Sequence, residues 1–411
     1  MTPIQRASRT VIVALLRRVQ YDAITVTESG SSETYGTPTP ATLHPHVQVV
    51  DPRTWEAIAR EGSVGLGRSY FEGWWTTDDP TAVVQVLIRN MRTFDDLRNR
   101  LPRSMRRLGD AARKVTHHSN KVVDRDNIHA HYDLGNEFFA QFLDETMMYS
   151  SALFERPNMT MADAQRAKLD RLCRLAGITP ESRVLEIGTG WGGFAVHAAE
   201  NYGCHVTTTT ISNEQYRYTK ELVNDRCLQD QITLLDQDFR DLEGTYDAIV
   251  SIEMIEAVDW RLYPTFFDTC TRLLTGDGRL AMQAITITDQ RYERAKNTVD
   301  FIKQHVFPGG CLPSISALTQ SATHHSDLVL TDLFDMGADY AETLRRWHEM
   351  FLSNTSALTS SGSDARLQRL WRFYLSYCEA AFLERHVSDV QLLFVRPGWR
   401  GALGRRGASH H

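Results

Sequence analysis

No stretch of this 411-residue chain approaches the roughly 18 consecutive apolar residues that a membrane-spanning helix needs. The amino terminus carries no cleavable secretory pattern, so a cytoplasmic protein is expected. Cysteine is sparse: six thiols, at 173, 204, 227, 270, 311 and 378, form no C-x-x-C element. That spacing excludes a disulfide framework and a cysteine-held zinc site, and reduced thiols are expected. The histidine pairs at 117–118 and 324–325 lack a third ligand at usable spacing, so no metal is expected. An excess of basic charge is missing too. A formal net charge of -6 and a pI near 6.2 argue against general nucleic-acid binding.

What is present is the composition of an ordinary globular protein, 42% hydrophobic and 23% charged, on a chain long enough for two domains. The charge is unevenly spread. Residues 4–19 read as an amphipathic helix with Arg6, Arg9, Arg17 and Arg18 beside Val11, Ile12, Val13, Leu15 and Leu16. Such a helix either lies on an anionic membrane surface or docks its apolar face on its own domain. A second basic stretch, 98–121, holds Arg100, Arg103, Arg106, Arg107, Arg113 and Lys114, and suits a linker that touches lipid headgroups.

The segment VLEIGTGWG at 184–192 reads as a buried strand running into a glycine-rich turn that opens a helix. Gly188, Gly190 and Gly192 let the backbone bend tightly and approach a ligand closely; a tight turn without a ligand is the plainer alternative. After the helix, a β-branched run at 205–211 leads into Ser212 and Gln215, about 20 residues past the glycines, where nucleoside-binding folds contact the ribose. An acid at that strand end would suit NAD, but Thr210 stands there, and hydroxyl and amide groups suit an uncharged ribose.

Residues 22–97 mix short strands such as 47–50 with the segment GLGRSYFEGWW at 65–75, which reads as a small α+β unit with Trp74 and Trp75 in its core. The segment 29–40 reads as a polar loop. Further on, a helix at 161–176 ends at Gly177, and strands follow at 184–187, 205–211, 232–235, 248–252, 279–287, 328–333 and 390–395. Strand-helix alternation predicts a parallel, doubly wound α/β sheet with its ligand at the carboxyl ends of the strands. The interruption at 288–326 is too long for an ordinary loop, and its turn at 307–314 suggests a lid or a substrate pocket. The expected division is a small α+β domain at 1–110, a basic linker at 111–126, the catalytic domain at 127–400 and a basic tail at 401–411, whose closing histidine pair is set aside as a tag remnant.

HYDLGNEFF at 131–139, EIGTGWG at 186–192, TISNEQ at 210–215, DFRDL at 238–242, EMIEAV at 253–258, the stretch 301–314 ending in FPGGCLPS, and GADY at 337–340 with Thr343 and Leu344 are widely separated. Together they resemble the cyclopropane-fatty-acyl-phospholipid synthase family, which uses S-adenosylmethionine (SAM), and especially the branch that includes synthases of 10-methylene fatty acids of the tuberculostearic type. The resemblance extends to 65–75 and so spans nearly the whole chain. It implies a Rossmann-like SAM-methyltransferase sheet with helical lid insertions. It also implies SAM contacts at Tyr149, Ser150, Gly188, Gly190, Thr210, Ile211, Gln215, Asp238 and the Phe239 backbone.

An isolated cis double bond is a poor nucleophile, and its methylation leaves a carbocation that must be shielded from water and finally lose a proton to a base. The resemblance implies that bicarbonate is that base, held by backbone amides of Ser151 and Ile285 and by Glu256, Gln283 and Tyr340. Each of the three side chains also has a plainer reading: a helix cap for Glu256, a satisfied core amide for Gln283, packing for Tyr340. Many family members carry cysteine at the position of Ser151 and histidine at that of Gln283. The first change keeps the backbone donor; the second removes a titratable group but keeps a donor and an acceptor. The expected activity is methylation of an unsaturated acyl chain in phospholipid at the inner membrane surface, giving a methylene branch that a separate reductase saturates. Self-association is left open. A cyclopropane synthase, a small-molecule SAM methyltransferase and a non-catalytic lipid-binding protein are the rivals.

Overall fold

The computed structural model describes residues 1–100, 135–360 and 364–401. The linker at 111–126, the histidine pair at 117–118, residues 131–134 of the HYDLGNEFF motif and the tail beyond 401 lie outside the described residues. The chain forms two compact units, and neither is one continuous stretch: residues 1–145, 290–312 and 337–388 make the first, and 146–289, 313–336 and 389–411 the second. The linear division expected from the sequence does not contain this interleaving.

In the first unit, strands β1 (Ala23–Glu28), β2 (Ser31–Gly36), β3 (His46–Val49) and β4 (Trp75–Thr76) pair in the order β2-β1-β3-β4. β1 and β2 form an antiparallel hairpin, and Ser29 (φ 51°) and Gly30 (φ 81°) make the tight turn, both in the left-handed region that such two-residue connections require. The 29–40 segment is therefore not wholly a loop. β2 hid from the sequence because it is a solvent-facing edge with only Tyr35 buried. Its antiparallel backbone ladder with β1 is supplemented by cross-strand hydroxyl pairs, Thr25 to Thr34 at 2.7 Å and Thr27 to Ser32 at 2.8 Å.

Helix Pro3–Leu16 starts on a capping box between Thr2 and Gln5. Val13 and Leu16 are buried, while Arg9 pairs with Glu28 at 2.7 Å and Arg17 with Glu33 at 3.3 Å. The helix thus docks on its own unit, though Ile4 and Val11 each stay 55% exposed. Trp75 is a core residue as expected, with its indole N–H donating to Ser69 Oγ at 3.0 Å. Trp74 is instead half-buried, with the Arg53 and Arg68 guanidinium groups 4.3 and 5.1 Å from its ring. Residues 290–312, expected within a lid, contribute Phe301 to this core, edge-on to Phe373 of helix Ala365–Leu383 at 5.0 Å.

The second unit holds β5 (Arg183–Ile187), β6 (His205–Thr210), β7 (Ile232–Asp236), β8 (Tyr246–Ile252), β9 (Leu274–Ile287), β10 (Val329–Asp335) and β11 (Val387–Val395), ordered β10-β11-β9-β8-β5-β6-β7. The five strands from β9 to β7 are parallel, and β10 runs antiparallel to β11, so the sheet is mixed at one edge. Successive residues divide between two cores. Leu185, Ile187, Ile249 and Met282 join one cluster; Val184, Ala248, Val250 and Ala281 join the other. Burial on both faces is why these strands read as continuous apolar runs rather than alternating ones. Helix Met161–Ala176, capped by Thr160 and ended by left-handed Gly177, covers one face as its spacing predicts. The order reverses between β5 and β8, which sets the crevice at their carboxyl ends.

A Cβ placed on Gly67 would overlap the Phe301 ring at its Cδ2, whereas one on Gly276 would meet no atom of the described residues within 4 Å. Gly67→Ala is expected to destabilise the first unit by about 1–3 kcal/mol and Gly276→Ala by less than about 0.5 kcal/mol. Thermal unfolding of the two variants beside the parent measures the difference.

Candidate functional site

β5 delivers the chain at Ile187 into a turn in which Gly188 (φ 101°), Gly190 (φ 54°) and Gly192 (φ 87°) all occupy left-handed backbone. The Gly188 and Thr189 amides donate to the Thr209 carbonyl at 3.2 and 3.0 Å, which ties the turn to β6. The glycines do different work. A Cβ on Gly192 would lie 2.8 Å from Thr219 Cγ2, and one on Gly188 would lie 3.0 Å from Met254 Cγ. A Cβ on Gly190 would meet no atom of the described residues within 4 Å, so among them Gly190 is the member of the trio that faces open space.

Around this turn lie hydroxyl and amide groups. Glu186 is buried at the end of β5 and accepts from Thr208 Oγ1 at 2.6 Å; Thr208 in turn meets Thr189 Oγ1 at 2.7 Å. Burial pushes its carboxyl up to about 8, opposed by the Thr208 hydrogen bond and the Lys168 charge. Thr210 Oγ1 donates to Gln215 Oε1 at 2.9 Å, and Ser212 caps the helix Asn213–Asp225. Ile211 lies between them, half-buried. Asp238, which the resemblance assigns to adenine, is engaged by Arg240: Nε donates to Oδ1 at 2.7 Å and Nη2 to Oδ2 at 2.6 Å. Phe239 packs partly against the sheet core.

Tyr149 lies edge-on to Trp191, with ring centroids 6.5 Å apart. Ser150 Oγ accepts from Lys168 Nζ at 2.6 Å, and its carbonyl accepts from Gln165 Nε2 at 2.8 Å. Lys168 is fully buried, and no role follows from the sequence reading. The available signal was its position among Ala164, Gln165, Leu169 and Leu172 on the apolar side of helix Met161–Ala176, where a solvated lysine does not belong.

The second constellation surrounds Gln283. Its Nε2 donates to Glu253 Oε1 and to Asp389 Oδ2, both at 2.8 Å. Its Oε1 accepts from Gln391 Nε2 at 3.0 Å, and Gln391 Oε1 accepts from Arg171 Nη1 at 2.7 Å. Because a guanidinium only donates, Arg171 orients both amides so that the N–H groups of Gln283 face the carboxyls. The Ser151 amide also donates to Glu253 Oε1, at 2.8 Å, and the Ile285 amide donates to Glu256 Oε1. Glu256 Oε2 and Asp389 Oδ1 are buried without a hydrogen-bond partner among the described residues. Burial, reinforced by the Glu253 carboxyl, holds Glu256 and Asp389 well above the usual carboxylate range.

Of the residues that the resemblance assigns to the anion, Ser151, Glu256, Gln283 and Ile285 belong to the second unit and share this constellation. Tyr340 belongs to the first unit, where its ring lies 4.4 Å from that of Phe382 and edge-on to Trp347 at 6.2 Å. Sequence reasoning assigned no role to Glu253, Asp389, Gln391 and Arg171. A signal existed for two of them: Asp389 and Gln391 alternate in the otherwise apolar β11, so both point to one face.

Because the folded chain holds a proton on Glu186 that the unfolded chain releases, its contribution to stability is intact below about pH 4.5 and is lost as pH rises through about 8. Glu186→Gln is expected to flatten that decline, by a few kcal/mol at its upper end. Chemical denaturation across this range measures the slope in both proteins.

The mycolic acid cyclopropane synthetase family model matches residues 119–392. The chain is 38% identical over 348 residues to the tuberculostearic acid methyltransferase UfaA1 of Mycobacterium tuberculosis, covering 83% of this chain and 81% of that protein. It is 35% identical over 357 residues to the cyclopropane-fatty-acyl-phospholipid synthase of Escherichia coli, covering 85% and 87%. Among solved structures, mycolic acid cyclopropane synthase CmaA1 complexed with SAH and CTAB superposes with a TM-score of 0.62 at 30% identity, over 66% of this chain and 98% of that one. With two thirds of its length matched by the family model and its glycine turn at the switch point of the sheet, this chain belongs to the mycolic acid cyclopropane synthetase family and is a SAM-dependent methyltransferase.

Proposed function

We propose that this enzyme methylates the cis double bond of an unsaturated fatty acyl chain in phospholipid and releases a 10-methylene-branched chain. The observation that carries this reading is a juxtaposition within the second unit. A glycine turn open at Gly190 follows β5, the half-buried Glu253 and Glu256 follow β8 and meet the buried Asp389 through the Gln283 network, and Met254 beside them lies against Gly188. The names of the two curated relatives supply the substrate class.

SAM, when bound, supplies an electrophilic methyl group on a sulfonium. The residues present suit it: Gly190 faces open space among the described residues, and Tyr149 beside Ser150 lies edge-on to Trp191 of the turn. Thr210 ends β6 with Ile211 and Gln215 just past it, and Asp238 and Phe239 follow the end of β7, the strands next in order after β5 and Gly188. Thr210 and Gln215 offer neutral partners to a ribose, while the Arg240 pair holds the Asp238 carboxylate in place. Methylation leaves a cation on the neighbouring acyl carbon. A hydride moves from the methylated carbon to that neighbour, and a base then takes a proton from the new methyl group, so that its C–H pair becomes the exocyclic double bond. Bicarbonate, which the family resemblance implies as the base, would find the donors assigned to it already engaged by Glu253 and Glu256.

The 35% identity to the Escherichia coli synthase favours a second reading, in which the same C–H pair closes a cyclopropane ring. We place the enzyme peripherally at the inner membrane surface. Arg9 of the amino-terminal helix and Arg17 at its end are tied to Glu28 and Glu33, and the exposed Ile4, Arg6 and Val11, with Arg18 just past the helix, would face the lipid. A separate reductase would saturate the methylene product. The chain's own copies are further candidate partners.

Gly190→Val is expected to weaken SAM binding at least about 10-fold, because a branched side chain would fill the open position, with a strain cost of roughly 1–3 kcal/mol from the left-handed backbone. Calorimetry reads the first effect and thermal unfolding the second. For the product, gas chromatography with mass spectrometry and proton resonance on lipid from oleoyl vesicles is expected to give vinylidene signals. Ring-proton signals without them would establish the cyclopropane reading instead.

A further inference from the structure

The three backbone and amide donors that the family resemblance assigns to bicarbonate are occupied by this chain's own carboxyl groups. Ser151 N–H and Gln283 Nε2 converge on Glu253 Oε1, each at 2.8 Å, and Ile285 N–H is taken by Glu256 Oε1. A free anion would have to displace a tethered carboxyl from these donors. The residues present therefore do not fit a bound bicarbonate.

We propose that the Glu253 carboxylate stands in place of bicarbonate as a built-in base. The proposal rests on the reading of the reaction given above. Three further observations support it. Glu253 has φ 47°, a left-handed backbone that a residue with a Cβ adopts at a cost, and its own amide is held by the Gln283 carbonyl at 2.8 Å. That backbone directs the side chain onto the Ser151 and Gln283 donors. Both are N–H groups, which stabilise an anion at Oε1 and cannot accept a proton from it. Glu253 also shares its surroundings with Glu256 and Asp389, whose carboxyls lie well above their usual range through burial and through the Glu253 charge itself. In a crowded group of like charges the proton-free member is one whose oxygens carry donors: Glu253 Oε1 takes two N–H groups, whereas Glu256 Oε2 and Asp389 Oδ1 have no hydrogen-bond partner among the described residues.

Electrons and protons balance without another reactant. After the hydride shift, a lone pair of the Glu253 carboxylate takes a proton from the transferred methyl group. The C–H pair becomes the carbon-carbon double bond, and the neutral Glu253 acid returns its proton to water once product leaves. Gln283 is a positioning residue in this scheme: held by Gln391 and Arg171, it aims N–H groups at Glu253 and Asp389.

The test compares the parent enzyme, Glu253→Gln and Glu253→Gly in carbon-dioxide-depleted buffer, with and without added bicarbonate, on oleoyl-phospholipid vesicles with labelled SAM. Parent turnover is expected to change by less than about 2-fold on adding bicarbonate. Glu253→Gln keeps the shape and loses the base, so turnover should fall about 10²–10⁴-fold, with SAM affinity within about 2-fold and no rescue. Glu253→Gly suits the left-handed backbone and vacates the donors, so bicarbonate should restore its turnover at least about 10-fold. Line broadening of carbon-13-labelled bicarbonate in the presence of SAH should appear with Glu253→Gly and not with the parent. A parent enzyme that needs bicarbonate, a Glu253→Gln variant at parental rate, or equal broadening by parent and Glu253→Gly would overturn the assignment. A parent that binds SAM but methylates no unsaturated phospholipid would instead refute the reaction, and the broadening experiment would still decide who owns the donors.

Discussion

Three carboxyl groups, on Glu253, Glu256 and Asp389, are packed at the carboxyl ends of β8 and β9 and the start of β11, each accepting from amide N–H groups. Burying a charge costs several kcal/mol unless hydrogen bonds replace water, so the number and direction of N–H groups decide which carboxyl carries it. Gln283 supplies two of those N–H groups, and it can do so only because Gln391 and Arg171 fix which way its amide points. The chain from Arg171 to Glu253 crosses the sheet through side chains on β11 and β9. Strand order therefore enters the chemistry directly: the β11-β9 neighbourhood brings Gln391 and Asp389 to Gln283.

The other half of the site follows a different constraint. At the end of β5, three left-handed glycines turn the backbone within five residues, yet two of them serve packing, against Met254 and Thr219, and one leaves space. A parallel sheet makes this economical, since β5, β8 and β9 all deliver their following loops to the same edge. The open glycine and the carboxyl cluster become neighbours through Met254, with no need for the two motifs to be close in sequence. A polar cluster of this kind is tolerated inside a sheet whose two faces are otherwise filled by separate apolar cores.

Much of the scaffold was legible because it depends on local or periodic chemistry. Thr160 and Gly177 bound their helix as side-chain and left-handed caps do anywhere, and β5, β6 and β8 announced themselves as apolar or β-branched runs. The edge strand β2 was not legible, because its backbone ladder is made by small polar residues of which only Tyr35 is buried, and that pattern reads as a loop. Nor was the pairing of Asp238 with Arg240, a contact that changes what the carboxylate has left to offer.

The sequence by itself determined the strand-helix alternation, the glycine turn and, through widely spaced motifs, the family. These follow from backbone preferences and from residue identities that act at short range. Tertiary structure alone decided that residues 290–312 build the core of the first unit, that Lys168 is buried against Ser150, and that Glu253 receives the donors of Ser151 and Gln283. The last of these joins residues 102 and 30 positions apart in the chain, and no propensity or period encodes such a distance. Hydrogen-bond direction is a property of atoms placed face to face, and only the folded sheet sets that placement.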